Sequence, residues 1–315
     1  MVMDSNNAEA ARQHAVQEGE PGNVVTGEAV ELVGQASLWG NAWKKLRRSA
    51  FFWFGAVITI VLVAMAVVPQ VFARGIDPRA CDLSDTRLPP SAEHWFGTDL
   101  QGCDYYANVV YGARVSLSIG LLAVIGVLVI GVLIGSLAGY FGGILDSVLA
   151  RFTDVFFGIP LLLGALVLLT VTSERTALTV AMALIAFGWM TAMRLVRSSV
   201  IAVKGSEYVQ AAQVLGASTF RILVRHILPN ALTPVLVYAT VAVGTFIAAE
   251  AALSYLGIGL QMPAMSWGLQ INLGQSYLST SPHLVLFPAG FLSVTVLAFI
   301  LMGDALRDAL DPKRS

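Results

Sequence analysis

An all-α integral membrane protein is the fold class this sequence predicts, and three observations carry the prediction. Of 315 residues, 56% are hydrophobic and only 12% are charged, about half the charged share of an ordinary soluble domain. The apolar residues gather into uncharged runs of about 20 residues, the length a helix needs to cross a ~30 Å hydrocarbon layer. Those runs are continuous rather than short and alternating, which argues against a membrane β-barrel. A formal net charge of −1 leaves no electrostatic footprint for a nucleic-acid partner.

Residues 1–40 hold Asp4, Glu9, Glu18, Glu20, Glu28 and Glu31 against Arg12, with no sustained apolar face, so a disordered acidic tail is expected there. Residues 41–72 supply a basic juxtamembrane stretch and the first span. Six spans are read in all: Phe51–Phe72, Val115–Phe141, Val155–Thr172, Ala177–Met193, Ala231–Ala249 and Leu284–Gly303. No convincing cleavage site follows the first, so it is read as a span and not a signal peptide. An outer loop occupies 73–114, a packed core 115–303, and a short tail 304–315. Twelve basic residues flank one set of loops (Lys44, Lys45, Arg47, Arg48, Arg194, Arg197, Lys204, Arg221, Arg225, Arg307, Lys313, Arg314). Five lie on the other side (Arg74, Arg79, Arg87, Arg114, Arg175). That asymmetry predicts cytoplasmic termini.

Within the core, Gly131, Gly135 and Gly139 form a small-residue stripe at spacings of four, which lets a neighbouring backbone approach closely. The stripe serves either packing within the chain or a partner subunit. Pro160 permits a bend in the third span. Arg151 and Asp154 stand three apart and are expected to pair on one helical face. Glu250 follows an apolar run. A rise of about 1.5 Å per residue from Ala231 places it near the outer surface as an anchor or a candidate outer gate. Cys81 and Cys103 share the outer loop and face an oxidising compartment, either bridged or as two free thiols; a bridge stabilises by on the order of 3 kcal/mol. Between the last two spans, Pro263 and Trp267 mark a structured outer cap or an interfacial element.

The polar segment Ser206–Pro229 interrupts the apolar core. Tyr208, Ala211, Ala212 and Leu215 recur at helical spacing on one face, and that face needs a partner groove or the lipid interface to cover it. Ser206 is placed to cap this short helix and Gly216 to end it in a left-handed conformation. A second, basic helix and Pro229 follow.

Several chemistries are missing. No phosphate-binding G-x-x-x-x-G-K-[ST] loop occurs, so the chain is not expected to hydrolyse ATP. His14, His94, His226 and His283 are scattered, and no metal-ligand spacing or catalytic elbow appears. No file of buried carboxylates or histidines runs through the spans, which weakens a proton-coupled carrier. An ATP-independent secondary carrier and a scaffold without a transport path are the rival readings.

The segment QAAQVLGAS followed by HILPN resembles the EAA loop of ABC importer permeases. Gln210, Ala211, Ala212, Gly216, Leu228 and Pro229 occupy the motif's places, with Gln210 where the family has Glu and His226 where it has Ile. Phe96–Asp104, Tyr111–Gly120, Ala138–Gly143, Ala249–Gly268 and Gly303–Pro312 are similar to the C-type permease subunit of dipeptide and oligopeptide importers. Cys103 stands where that family usually has Arg, which favours a bridge to Cys81 particular to this lineage. The resemblance implies a five-helix importer-permease core (MetI-like) in a bacterial plasma membrane, with residues 198–230 carrying a cytoplasmic coupling helix. It implies that Glu207, Tyr208, Gln210, Ala211, Ala212, Leu215, Gly216, Leu228 and Pro229 couple the chain to separate ATPase subunits, which bind ATP and Mg. It further implies a homologous permease partner, two ATPase domains and an extracytoplasmic peptide-binding protein that delivers peptide substrate. No cofactor or metal belongs to this chain. Nickel and glutathione permeases share these motifs and form the alternative.

Overall fold

The computed structural model describes residues 38–310, and among them the regular structure is helical. The predicted acidic tail up to Ser37, together with Lys313 and Arg314, lies outside the described residues. Helix α1 (Leu38–Leu46) leads to Ser49, whose hydroxyl accepts the Phe52 N–H at 3.2 Å and so starts α2 (Ala50–Val67). There follow α3 (Pro69–Phe72), α4 (Tyr105–Phe141), α5 (Gly143–Phe157), α6 (Leu161–Thr170) and α7 (Ala177–Lys204). After α7 come α8 (Glu207–Val214), α9 (Thr219–Arg221), a π-helical turn (Ile222–Ile227) and α10 (Leu228–Ala231). The chain ends with α11 (Thr233–Tyr255), α12 (Trp267–Gly274) and α13 (His283–Leu310).

Helices α2, α4, α7, α11 and α13 are long and apolar enough to cross a membrane, and α5 with α6 makes a further such stretch bent by 76°. The bend falls between Phe157 and Leu161, where Gly158 ends one helix and Pro160 precedes the next. Proline cannot donate to the turn behind it and disfavours helical geometry at the residue before it. The third predicted span is therefore broken.

The long helices also exceed their predicted limits. Helix α4 starts ten residues before Val115, because the Asp104 carboxylate accepts the Ala107 N–H at 2.9 Å and caps it. Its first turns read as polar loop in the sequence, yet Tyr105 is buried and donates its hydroxyl to the Leu284 carbonyl at 2.5 Å. Arg114 is helical too. It donates to the Ala66 and Val67 carbonyls at 2.7 and 2.8 Å, satisfying orphan acceptors at the end of α2. Helix α7 runs on from Met193 to Lys204.

The glycine stripe packs within the chain. A Cβ on Gly131 would lie 2.6 Å from Ala192 Cβ, one on Gly135 2.6 Å from the Met193 carbonyl, and one on Gly139 2.8 Å from the Arg197 carbonyl. Any side chain there would push α4 off α7. The numbers rise together along both helices, so α4 and α7 are parallel, and α5 with α6 must carry the chain back between them. Helix α11 runs antiparallel to α4, with Gly120 against Ile247. Helix α13 packs on α11 where Gly244 meets Phe299, and α2 packs on α13 where Gly55 meets Met302. Ile119, Leu184, Met193, Ile247 and Leu253 fill the core between these helices.

The predicted Arg151–Asp154 pair does not form. Asp154 instead pairs with Arg194 at 2.7 Å, and Asp146 receives the Arg197 guanidinium fork at 2.5 and 2.6 Å. Arg197 meets its carboxylate with two parallel N–H bonds, the favoured geometry for a guanidinium, whereas Arg194 reaches Asp154 with one. These pairs tie α5 to α7.

Cys81 and Cys103 are joined by a disulfide, with Cα atoms 4.1 Å apart and a sequence separation of 22. The bridge closes the loop ahead of α4. In native protein, alkylation is expected to leave both sulfurs unmodified until reductant is added. Replacing both by serine is expected to destabilise the chain by about 3 kcal/mol in the loop-entropy account. Mass spectrometry and thermal unfolding measure the two effects; full alkylation without reductant would refute the bridge.

Candidate functional site

The Ser206–Pro229 segment folds into a helical hairpin at the end of α7. Glu207–Val214 is helical, and Gly216, with φ +78°, terminates it. The Gly216 N–H donates to the Gln213 carbonyl at 3.0 Å and the Ala217 N–H to the Ala212 carbonyl at 3.1 Å. This is the Schellman pattern, in which a left-handed residue lets two otherwise orphan carbonyls be satisfied. Ser206 occupies the N-terminal cap position but does not cap with its side chain. Its hydroxyl turns back and donates to the Val203 carbonyl at 2.6 Å.

The predicted residues fall into two groups. Glu207, Tyr208, Gln210, Ala211 and Leu215 are exposed, Ala212 is half-buried, and Gly216 is exposed at the tip. Leu228 is half-buried and Pro229 exposed at the far end of the π turn. The Gln210 amide donates to the Gly205 carbonyl at 3.1 Å, which clasps α8 to the end of α7. Val214 and Leu215 are 88% and 87% exposed, and Phe220 across the turn is 75% exposed. Together they form an uncovered apolar tip.

What holds the hairpin is Val209. It is fully buried with Ile222 and Ile227 against Val196 and Val200 of α7 and Val235 of α11. Lys204 adds an ammonium at the end of α4, donating to the Tyr140 carbonyl at 2.5 Å, where a cation complements the helix dipole. The tip therefore stands on a base keyed to three long helices.

At the opposite end of the bundle, Glu250 is 0% exposed, paired and enclosed there rather than hydrated. The reason is a cap that the count along the helix did not include. Ser266 and Trp267, at the start of α12, fold over it. Its carboxylate accepts from Ser254 Oγ and Ser266 Oγ at 2.8 Å each and from Ser116 Oγ at 3.4 Å. Ser116 Oγ in turn accepts the Trp267 N–H at 3.2 Å, and Trp267 Nε1 donates to the Val109 carbonyl at 3.0 Å. Helices α4, α11 and α12 thus meet on one carboxylate. Among the described residues, no group of three or more His, Cys, Asp or Glu is placed to hold a metal ion.

The model of the family described as binding-protein-dependent transport system inner membrane component matches residues 131–315. The chain belongs to that family. A second model, the N-terminal TM domain of oligopeptide transport permease C, matches residues 37–90 of this permease. The permease is 39% identical over 295 residues to the oligopeptide transport system permease protein OppC of Bacillus subtilis, covering 93% of this chain and 96% of that one. With the dipeptide transport system permease protein DppC of the same organism, identity is 40% over 274 residues, covering 87% and 85%. Among solved structures, an inward-facing form of the MetNI methionine ABC transporter superposes with a TM-score of 0.52 at 21% identity. It covers 65% of this permease and 96% of that chain, and shows that the fold is shared.

Two features of the permease's loop were not found in the sequence. Val209 sits between the residues that carry the motif, and its β-branched side chain gives no signal of inward orientation by itself. The π turn Ile222–Ile227 reads as ordinary helix, since its one-residue surplus appears only once Ile222 and Ile227 are both seen buried. Such turns recur at functional positions.

Proposed function

We propose that this permease is one half of the membrane pathway of an ATP-driven importer of di- and oligopeptides. The observation that carries the proposal is the apolar tip of Val214, Leu215 and Phe220, uncovered yet rigidly founded through Val209. A homologous permease supplies the other half of the pathway. Two ATPase domains, holding ATP and Mg, receive the tip through Glu207–Gly216, with Leu228 and Pro229 closing the hairpin. An extracytoplasmic binding protein delivers peptide on the disulfide side. Six crossings of a bacterial plasma membrane leave both termini in the cytoplasm. The chain itself is non-catalytic and carries no cofactor. The relatives named for oligopeptide and dipeptide transport support this reading.

The physical requirement is that ATP binding favours one permease state through contacts that differ between states. Covering Leu215 and Phe220 contributes about 1.5–3 kcal/mol each, enough to bias a rocking of the two halves. The double variant Leu215→Asp with Phe220→Asp is expected to remain in the membrane and to lose both ATPase capture and ATP-dependent peptide uptake. Co-purification and uptake assays measure these. Wild-type capture and uptake by the double variant would refute the docking role. Peptide uptake by the purified chain alone in liposomes would establish an ATP-independent carrier instead.

A further inference from the structure

A cavity of about 310 Å³ opens on the disulfide side, between the Cys81–Cys103 loop and the segment that leads into α12. Met262, Leu269, Leu273 and Leu284 give it apolar walls, and Asp99, Gln270 and Arg79 interrupt them. Gln270 is only 8% exposed. Its Nε2 donates to the Asn108 carbonyl at 2.8 Å, which fixes the amide's orientation because a carbonyl can only accept. Gln270 Oε1 is then left buried with no hydrogen-bond partner among the described residues. Buried polar atoms are nearly always paired; this oxygen is closed to solvent behind the cavity that Gln270 lines, so a donor in the cavity reaches it only as the amide shifts.

Asp99 is linked to Gln270 through Asn108, which donates its Nδ2 to Asp99 Oδ2 at 3.1 Å. Asp99 Oδ1 accepts the N–H groups of Gln101 and Cys103 at 2.8 and 2.9 Å. Despite these donors, burial pushes the Asp99 carboxyl above its usual range. Arg79 lies exposed on the same lining and supplies the opposite charge.

We propose that this cavity is an outer binding site for a short zwitterionic peptide. The peptide's ammonium pairs with Asp99 and, as the Gln270 amide shifts toward it, donates to Oε1; its apolar side chain lies along Met262 and Leu269, and its carboxylate faces Arg79. The volume is at the lower end of small-molecule sites, about 300–1,000 Å³, so the ligand is of dipeptide size. The inference rests on the peptide-import reading and extends it: this chain itself recognises free peptide termini before the pathway opens.

The test uses the full chain in lipid nanodiscs, without ATPase or binding protein, titrated calorimetrically with alanyl-leucine. Saturable binding is expected, weakened about tenfold or more by N-acetylation of the peptide, which removes charge-assisted bonds. Amidation of the peptide carboxylate is expected to weaken binding to the native chain and to make little difference in Arg79→Ala. Gln270→Leu is expected to weaken the free peptide but not its acetylated form. No binding, or equal binding of the free and acetylated peptides, overturns the site. ATP-driven uptake by the assembled importer is measured separately. Normal uptake without nanodisc binding refutes the cavity alone, whereas a wild-type complex that imports no peptide refutes the import reading.

Discussion

Replacing Gly216 by proline is expected to reduce ATP-dependent uptake to background while the chain still reaches the membrane. Gly216 has φ +78°, and proline is locked near −65°. The substitution also deletes the N–H that donates to the Gln213 carbonyl. The end of α8 then cannot form its left-handed turn, and Leu215 and Phe220 lose the positions that the turn gives them. The long helices are untouched, so insertion should survive. Gly216→Ala separates backbone strain from crowding, because nothing lies within 4 Å of where a Cβ would be. A non-glycine residue in the left-handed region costs roughly 1–2 kcal/mol, so alanine should lower uptake several-fold without abolishing it. Labelled-peptide uptake normalised to membrane-bound protein measures both. Proline at the native rate would show that the hairpin's shape is irrelevant to transport.

The parts of this molecule legible in the sequence are those where a single segment carries its own signal. Long uncharged runs announced the crossing helices because the bilayer imposes a length. The Gln210–Pro229 pattern announced the hairpin because its spacing is contiguous. What escaped depends on partners remote in sequence. Tyr105 and Asn108 look like loop residues until α12 and α13 are seen covering them. Asp154 has Arg151 one turn away, yet it is met by Arg194 from the next helix. The glycine stripe announced a close approach but not its partner, because small residues specify a distance and not an identity. For Glu250, Ser116 is 134 positions away and Ser266 is 16, so no local pattern could enclose it.

Glu250 is where the second large effect is expected. Three serine hydroxyls from three helices donate to its carboxylate, and each accepts a backbone N–H in turn: Ser116 from Trp267 at 3.2 Å, Ser254 from Leu260 at 3.1 Å and Ser266 from Leu269 at 3.2 Å. Those serines cannot turn away without breaking the cap of α12 and the turn after α11. Glu250→Leu keeps the volume and removes every acceptor. Each orphaned hydroxyl costs about 1–3 kcal/mol, so the variant should lose several kcal/mol of stability. Glu250→Gln retains one acceptor oxygen in nearly the same shape and should lose far less. The contrast separates a polar keystone from a space-filler, because a filler would favour leucine. Thermal unfolding of the three proteins in one detergent gives the ranking: native and glutamine close together, leucine well below. A leucine variant as stable as the native chain would mean that the three serines find other acceptors. The disulfide-side end would then be held by Trp267 and its apolar neighbours alone.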